Sequence, residues 1–362
     1  MARVFMKGCE AIAEAAVRAG CRFFAGYPIT PQNEIPEYMA RRLPEVGGCF
    51  VQGESEVASV NMVYGAAQTG TRAMTSSSSC GISLKSEGIS FMASARIPMV
   101  YVNVSRGGPG IGSIQPSQQD YLQATKASGN GGFRMIVLAP STVQEAVDMT
   151  YEAFDYAHRD RNPVLILTDG VIGTMMEPVV LPPARSEEEV RELKEAHRSW
   201  AFVGHGEDEK RALILPGRWA GQENCCIENA AMYETWEKDV QVEEYQTEDA
   251  ELIVTAFGIS GRIARSAVRI LRSQGYKIGL IRPKTVSPFP YAAFERLDYG
   301  RVKAILDVEM SIPAQFVYDV ELAVKGRAPV TTCLRSGGEL ITREMVLGAA
   351  KELLERKGGL LR

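Results

Sequence analysis

Apolar and polar positions follow two periods along this chain, and the changes of period mark its elements. Residues 7–19, KGCEAIAEAAVRA, place apolar side chains at helical spacing and stop at Gly20, a suitable C-cap. The next run, CRFFAG, is short and apolar, as a buried strand is. EVGGCFVQGESEVASVNMVYGAAQTG then gives a strand, a turn and a helix from about Ser55 to Gln68. TRAMTSSSS is a strand running into hydroxyl residues, ISLKSEGISFMASARI a helix and PMVYVNVS a β-branched strand. RMIVLAPSTVQEAVDMTYEAFDYAHRDRNPVLILTDG gives strand, loop, helix and strand again, ending at Gly170. Strands alternating with helices in this way predict an open, mostly parallel α/β sheet.

From Met176 to Asp249 the character changes. RSEEEVRELKEAHRSW is charge-rich with weak helical periodicity, and LPGRWAGQENCCIENAAMYETW has no clean period. A connection of about 70 residues is unusual inside one compact domain, so the pattern predicts two domains. After it, AELIVTAFG, SGRIARSAVRILRSQG, KIGLIRP, YAAFERLDYG, VKAILDVE, FVYDVELAVKG and PVTTCL resume the strand–helix alternation. The expected division is a first α/β domain over 1–180, a connecting segment over 181–249 and a second open α/β domain over 250–362.

Composition narrows the function. The 362 residues are 45% hydrophobic and 23% charged, values of an ordinary globular protein. A net charge of −4 gives no reason to expect nucleic acid as a partner. No window reaches roughly 18 consecutive apolar residues, so no membrane partner is expected. MARVFMKGCEAIAEAA lacks the apolar stretch of a signal peptide and is expected to be mature sequence. The seven cysteines contain no C-x-x-C pair. They predict reduced thiols in the cytoplasm and no zinc or iron–sulfur site. His158, His197 and His205 share no motif, which argues against a histidine metal site or a Ser-His-Asp triad.

Four stretches have the residue types for chemistry. In GYPITPQNEI, residues 26–35, Pro28 and Pro31 forbid helix and central strand and stiffen the loop around Thr30. Its plain reading is a strand-ending turn. In QGESEVASVNMVYGAAQTG, Glu54 and Glu56 open a helix with a small, apolar body. They are either capping residues or a carboxyl group able to share a proton with a ligand nitrogen. In VNVSRGGPGIGSIQPSQQD a buried strand ends at Arg106 before a glycine-rich loop. An arginine there suits a carboxylate or phosphate, and the glycines do not match a dinucleotide-binding register. TSSSSCGISLKSEG offers hydroxyls and backbone N–H groups to a ligand, or simply an N-cap. In VTAFGISGRIARSAV, Gly258 and Gly261 are better explained by close strand–helix packing.

GYPITP, GESEVASVNMVYGAA, TSSSSCGISL and SRGGPG, in that order, resemble the 2-oxoacid:ferredoxin oxidoreductases, in the subunit that carries their pyrimidine domain. The likeness is closest to the members acting on 2-oxoisovalerate and other branched-chain 2-oxoacids, and it covers nearly the whole chain. The tail, with IRPKTVSPFP and VEMS, is similar to a transketolase C-terminal-like domain. Two residues depart from the pattern: Cys9 stands where relatives commonly carry asparagine, and Cys80 where they often have proline. The resemblance implies a thiamine diphosphate cofactor with Glu56 at N1′ of its aminopyrimidine, Glu54 in reserve, and Ile29 as a further cofactor-binding residue. It implies that Thr30 and Arg106 bind the substrate carboxylate. It implies coenzyme A as acyl acceptor and ferredoxin as electron acceptor. The G-D-G…N pattern for magnesium and diphosphate is missing; TDG at 168–170 comes nearest, with no asparagine at the right distance. Magnesium and iron–sulfur clusters are therefore expected on partners: a diphosphate-binding subunit, a ferredoxin-like subunit and a gamma-type subunit. The same chemistry on 2-oxoglutarate or pyruvate, or a non-catalytic transketolase-like scaffold, are the alternatives.

Overall fold

The structure is a computed structural model that describes residues 3–204 and 221–355. His205 and the first part of LPGRWAGQENCC lie outside the described residues. The strands of the N-terminal half are β1 (Val4–Lys7), β2 (Phe23–Gly26), β3 (Cys49–Gln52), β4 (Ala73–Ser77), β5 (Met99–Ser105), β6 (Ile136–Leu138), β7 (Pro163–Asp169) and β8 (Met176–Val179). The C-terminal half adds β9 (Val242–Tyr245), β10 (Leu252–Thr255), β11 (Ile278–Pro283), β12 (Thr285–Ser287), β13 (Ala304–Glu309) and β14 (Val330–Leu334).

Two open, mostly parallel sheets result, as the alternation predicts. The larger has the order β12-β6-β7-β5-β4-β2-β3, parallel except at β12. The smaller runs β14-β13-β10-β11-β9, parallel except at β9. In the larger sheet every residue of β5 and β7 is buried, which is why MVYVNVS and PVLILTD read as continuous apolar runs. Parallel register from Met99↔Pro163 to Ser105↔Asp169 brings Arg106 and Gly170 out side by side. The chain places β3 on one side of β2 and β4 on the other, so the strand order reverses at β2. Open α/β sheets bind ligands beyond the strand ends at such a reversal. The loop after β2 is YPITP, and the loop after β4 is the serine cluster.

The two halves are bolted together. β12 leaves the C-terminal half to pair with β6, and Arg282 on β11 holds Glu145 of the N-terminal half (Nη2–Oε1 2.6 Å, Nη1–Oε2 3.0 Å). Gln118 donates from Nε2 to the Phe257 carbonyl (2.9 Å) and accepts from Ser260 Oγ (2.7 Å) and the Met310 N–H (3.0 Å). The apolar core runs through both halves. Residue 249 falls between β9 and β10 of one sheet, so the 181–249 segment also supplies an edge strand. The charge-rich stretch forms a surface helix, Glu187–Glu195, with a Ser186–Glu189 capping box. His158 Nδ1 and His197 Nε2, 2.8 Å apart, tie its end to the first half.

The elements that were not legible include the antiparallel pair β1–β8 and the helix Glu34–Glu45. The strands are four residues each and partly exposed, and Pro36 and Pro44 mask the helical pattern. Among the described residues no helix is long and apolar enough to cross a membrane.

Candidate active site

The loop after β2 is held from below. Gln32, fully buried, accepts from Ser76 Oγ and donates from Nε2 to the Tyr27 carbonyl (3.2 Å). The Cys9 thiol lies 3.8 Å from the Pro31 carbonyl, and burial pushes that thiol up. Thr30 is exposed and Ile29 half-buried on the resulting crest. Gln32 was not singled out from the sequence, although a loop that must be stiff needs such an internal acceptor.

Arg106 leaves β5 buried, 6% exposed, and turns its guanidinium toward this crest. Nη1 donates to the Thr30 carbonyl (2.9 Å), and Nη2 donates to the Ile111 carbonyl (2.8 Å) and to Cys80 Sγ (3.2 Å). Nε is buried without a partner. A guanidinium has five N–H groups, so Nε–H and one Nη1–H stay open, and the sulfur on Nη2 is a weak acceptor. The structure thus brings Thr30 and Arg106 together through the Thr30 backbone. The threonine hydroxyl is left to the solvent side.

The serine cluster is not a plain cap. Ser79 precedes helix Cys80–Ser94 at φ 33°, a region a serine rarely occupies, and makes no side-chain cap bond. Its Oγ donates to Asp120 Oδ2 (2.6 Å) and accepts from the Arg106 N–H (2.9 Å), while its own N–H donates to Asn103 Oδ1 (3.0 Å). Asn103 Nδ2 also donates to Asp120 Oδ2 (2.8 Å). This network sets the direction of the helix and the exit of Arg106 at once.

Glu56 is the first residue of helix Glu56–Gln68, capped by Ser55, whose Oγ accepts from the Ala58 N–H (3.1 Å). Glu56 is 6% exposed, while Glu54 is exposed outside the helix. The Glu56 carboxylate accepts no hydrogen bond among the described residues. It packs on Gly81: a Cβ there would lie 2.5 Å from Glu56 Oε1 and 2.1 Å from Ser77 Oγ. Ser77 Oγ is itself buried without a partner. One turn on, fully buried Lys85 donates from Nζ to the Glu56 carbonyl (3.3 Å) and to Thr75 Oγ1 (3.0 Å). Lys85 was missed, yet the signal exists. It falls three residues after Ile82 and four before Ile89, an ion inside an apolar helical stripe.

Two further stretches resolve. Asp169 of TDG is buried and accepts from the N–H groups of Val171 (2.8 Å), Ile172 (3.3 Å) and Ile259. Burial raises its carboxyl to about 6 against those bonds. It is committed to capping a short helix and joining the two halves. Gly258 has φ 54°, and a Cβ at Gly261 would meet Arg282 Cδ at 2.6 Å, so both glycines serve close packing. Beside Arg106, a cleft of about 480 Å³ opens between the halves, lined by Cys80, the Gly108–Gly110 turn, Asp120 and Pro313.

Comparison with known proteins places the chain in a family. The family described as pyruvate flavodoxin/ferredoxin oxidoreductase, thiamine diP-bdg, matches residues 14–248. Pyruvate:ferredoxin oxidoreductase core domain II matches residues 250–346. Ketoisovalerate oxidoreductase subunit VorB of Methanothermobacter thermautotrophicus is 45% identical over 357 residues, covering 98% of each chain. The solved 2-oxoglutarate:ferredoxin oxidoreductase of Magnetococcus marinus, with 2-oxoglutarate, coenzyme A and succinyl-CoA bound, superposes with a TM-score of 0.82 at 25% identity. That match covers 98% of this chain and 65% of that one. A split-gene transketolase in an inactive β4 tetramer shares the fold, with a TM-score of 0.59 at 14% identity over 97% of this chain and 99% of its own. On a family match spanning most of its length and a relative this similar from end to end, the chain belongs to the thiamine diphosphate-dependent 2-oxoacid:ferredoxin oxidoreductases, as one of their subunits.

Proposed function

We propose that this chain supplies the pyrimidine-binding side of a thiamine diphosphate site and the clamp for a 2-oxoacid carboxylate. The complex it serves converts 2-oxoisovalerate, or a similar branched-chain 2-oxoacid, to acyl-CoA and CO2 with reduction of ferredoxin. The observation that carries this reading is the first turn of helix Cys80–Ser94. Cys80 touches the Arg106 guanidinium, and the next residue, Gly81, backs the Glu56 carboxylate. One rigid turn therefore fixes an anion-binding group and an acid–base group beside each other.

The residues fit an aminopyrimidine. A buried carboxylate without an acceptor bond stands next to an orphaned serine hydroxyl, at a position where a Cβ would intrude. Bound thiamine diphosphate supplies the electron sink for decarboxylation. Glu56 holds and returns a proton at ring nitrogen N1′. Ile29 offers half-buried apolar surface to the ring. Arg106 takes the substrate carboxylate on its open Nη1–H and, once the weak sulfur contact yields, on Nη2–H, and the Thr30 hydroxyl adds one bond. In domain terms, residues 1–180 form the pyrimidine-binding unit, 181–249 the connection and 250–362 the transketolase C-terminal-like unit.

The choice of a branched-chain substrate rests on what borders Arg106. The loop GGPGIGSIQP carries no cation, and Ile111 projects from it, 81% exposed, with its carbonyl anchored on the guanidinium. A second carboxylate, as in 2-oxoglutarate, finds no positive partner there and meets Asp120 across the cleft. Magnesium and the diphosphate end belong to a diphosphate-binding subunit, and the iron–sulfur clusters to a ferredoxin-like subunit; a gamma-type subunit completes the complex. All seven cysteines are free, which supports a reducing, cytoplasmic setting.

The test is reconstitution of the complex with coenzyme A, thiamine diphosphate and a viologen acceptor on a panel of 2-oxoacids. The highest kcat/KM is expected for 2-oxoisovalerate, and no turnover for the isolated chain. A preference for 2-oxoglutarate or pyruvate overturns the substrate assignment. Turnover by the isolated chain overturns the division of the site between subunits.

A further inference from the structure

The chain keeps a lysine where stability alone favours an apolar residue. Lys85 is fully buried in helix Cys80–Ser94, with two neutral acceptors, the Glu56 carbonyl at 3.3 Å and Thr75 Oγ1 at 3.0 Å. Thr75 Oγ1 in turn donates to the Ala25 carbonyl (2.7 Å), so this end of the pocket is fixed to β2. Among the described residues no carboxylate stands within ion-pair distance of Nζ. A buried ammonium so placed is costly, and replacing buried ions by apolar residues often stabilises a protein. Lys85 lies one helical turn from Gly81, so both face the same way, toward Glu56.

We propose that Lys85 is a positioning residue for Glu56: its ammonium anchors the backbone at the start of the Glu56 helix and sets the field in which the Glu56 carboxylate exchanges its proton. The proposal rests on the reading of Glu56 given above. From helix Glu56–Gln68, Glu56 faces the ammonium. Strand β4 presents the Thr75 hydroxyl, and the lysine's own helix carries Glu87 on its exposed side. Burial lowers the Lys85 ammonium to about 7, against the pull of the Glu56 carboxylate. The ammonium and the Glu56 carboxylate attract each other, and as pH rises through 7 the lysine charge leaves and that attraction goes with it.

Two measurements on the full chain in its complex test this. In the first, ¹³C-labelled lysine is followed by NMR from pH 5 to 10 in the parent and in Glu56→Gln, before any cofactor is added. One lysine should titrate near pH 7, far below the others, and lose its midpoint downward by about one unit when the Glu56 charge is removed. No lysine titrating below pH 9, or a midpoint that Glu56→Gln leaves in place, overturns the proposal. This holds whatever Glu56 does in turnover. In the second, Lys85→Met and Lys85→Arg are assayed for kcat/KM against pH. Lys85→Met should lose the inflection near pH 7, and Lys85→Arg should shift it to higher pH or remove it by staying charged. An unchanged profile in Lys85→Met overturns the proposal. Failure of the Glu56 reading shows separately, as full activity in Glu56→Gln.

Discussion

Alanine at position 81 should improve the helix and damage the site. Gly81 lies in the first turn of helix Cys80–Ser94 with ordinary helical backbone, where alanine is favoured over glycine by up to about 1 kcal/mol. Its Cβ would stand 2.1 Å from Ser77 Oγ, 2.5 Å from Glu56 Oε1 and 3.1 Å from Glu56 Cγ. The Ser77 hydroxyl has no partner to lose and can rotate away. The Glu56 carboxylate cannot stay. To pass from 2.5 Å to the 3.4 Å of ordinary contact it must withdraw by about 0.9 Å. A displacement of about 1 Å at a positioned catalytic group costs roughly 10²-fold in rate, equivalent to about 2.7 kcal/mol in the barrier. The assay pairs the thermal midpoint of the chain with kcat of the reconstituted complex at saturating 2-oxoisovalerate. An unchanged or higher Tm with kcat down about a hundredfold is expected. A variant folded as stably as the parent, with kcat within about threefold, equivalent to about 0.7 kcal/mol, would refute the placement of Glu56 against Gly81 as the proton-exchanging group.

Two other substitutions follow from the same geometry. Arg106→Lys should raise KM and lower kcat together, because lysine keeps the charge but loses the planar donor set shared among Thr30, Ile111 and the substrate. Thr30→Val should act in the same direction by one hydrogen bond, roughly 0.5–1.5 kcal/mol; unchanged kinetics in both exclude the clamp. The ion pairs joining the halves predict a pH effect. Burial alone would raise the Glu145 carboxyl, but the Arg282 hydrogen bonds and charge overcome this and hold it at about 2, against 4.5 when unfolded. Its stabilisation is therefore complete above pH 4.5 and lost as pH falls toward 2, about 3 kcal/mol in all. Denaturant melts against pH should show Glu145→Gln less stable at pH 7 and without that acid-side loss. A parallel decline in parent and variant counts against the pair.

Much of this architecture could be read from the chain because its central strands are buried on both faces. MVYVNVS and PVLILTD have no polar face to blur the signal, and Arg106 stands out as the first ion after one of them. Glu56 was separable from Glu54 only through the family resemblance, since both precede an apolar helix; burial is what sets them apart in the structure. The residues that escaped are those whose meaning depends on partners far away in sequence. Ser79 looks like a cap until Asp120 and Arg106 fold onto it, and Lys85, an ion in an apolar stripe, gains its meaning only when the Glu56 helix covers it. β9 and β12 escaped for a related reason. Each is short and gains its place by pairing with a strand already formed, across the connection or across the two halves.

The central claim is that Glu56 exchanges the proton that activates thiamine diphosphate. The most direct measurement is hydrogen–deuterium exchange at C2 of the cofactor bound in the reconstituted complex, for the parent, Glu56→Gln and Glu54→Gln. The account predicts that exchange falls by orders of magnitude in Glu56→Gln, because an amide cannot cycle a proton with N1′, and stays at the parent rate in Glu54→Gln. Exchange at the parent rate in Glu56→Gln, with the cofactor still bound, would contradict it.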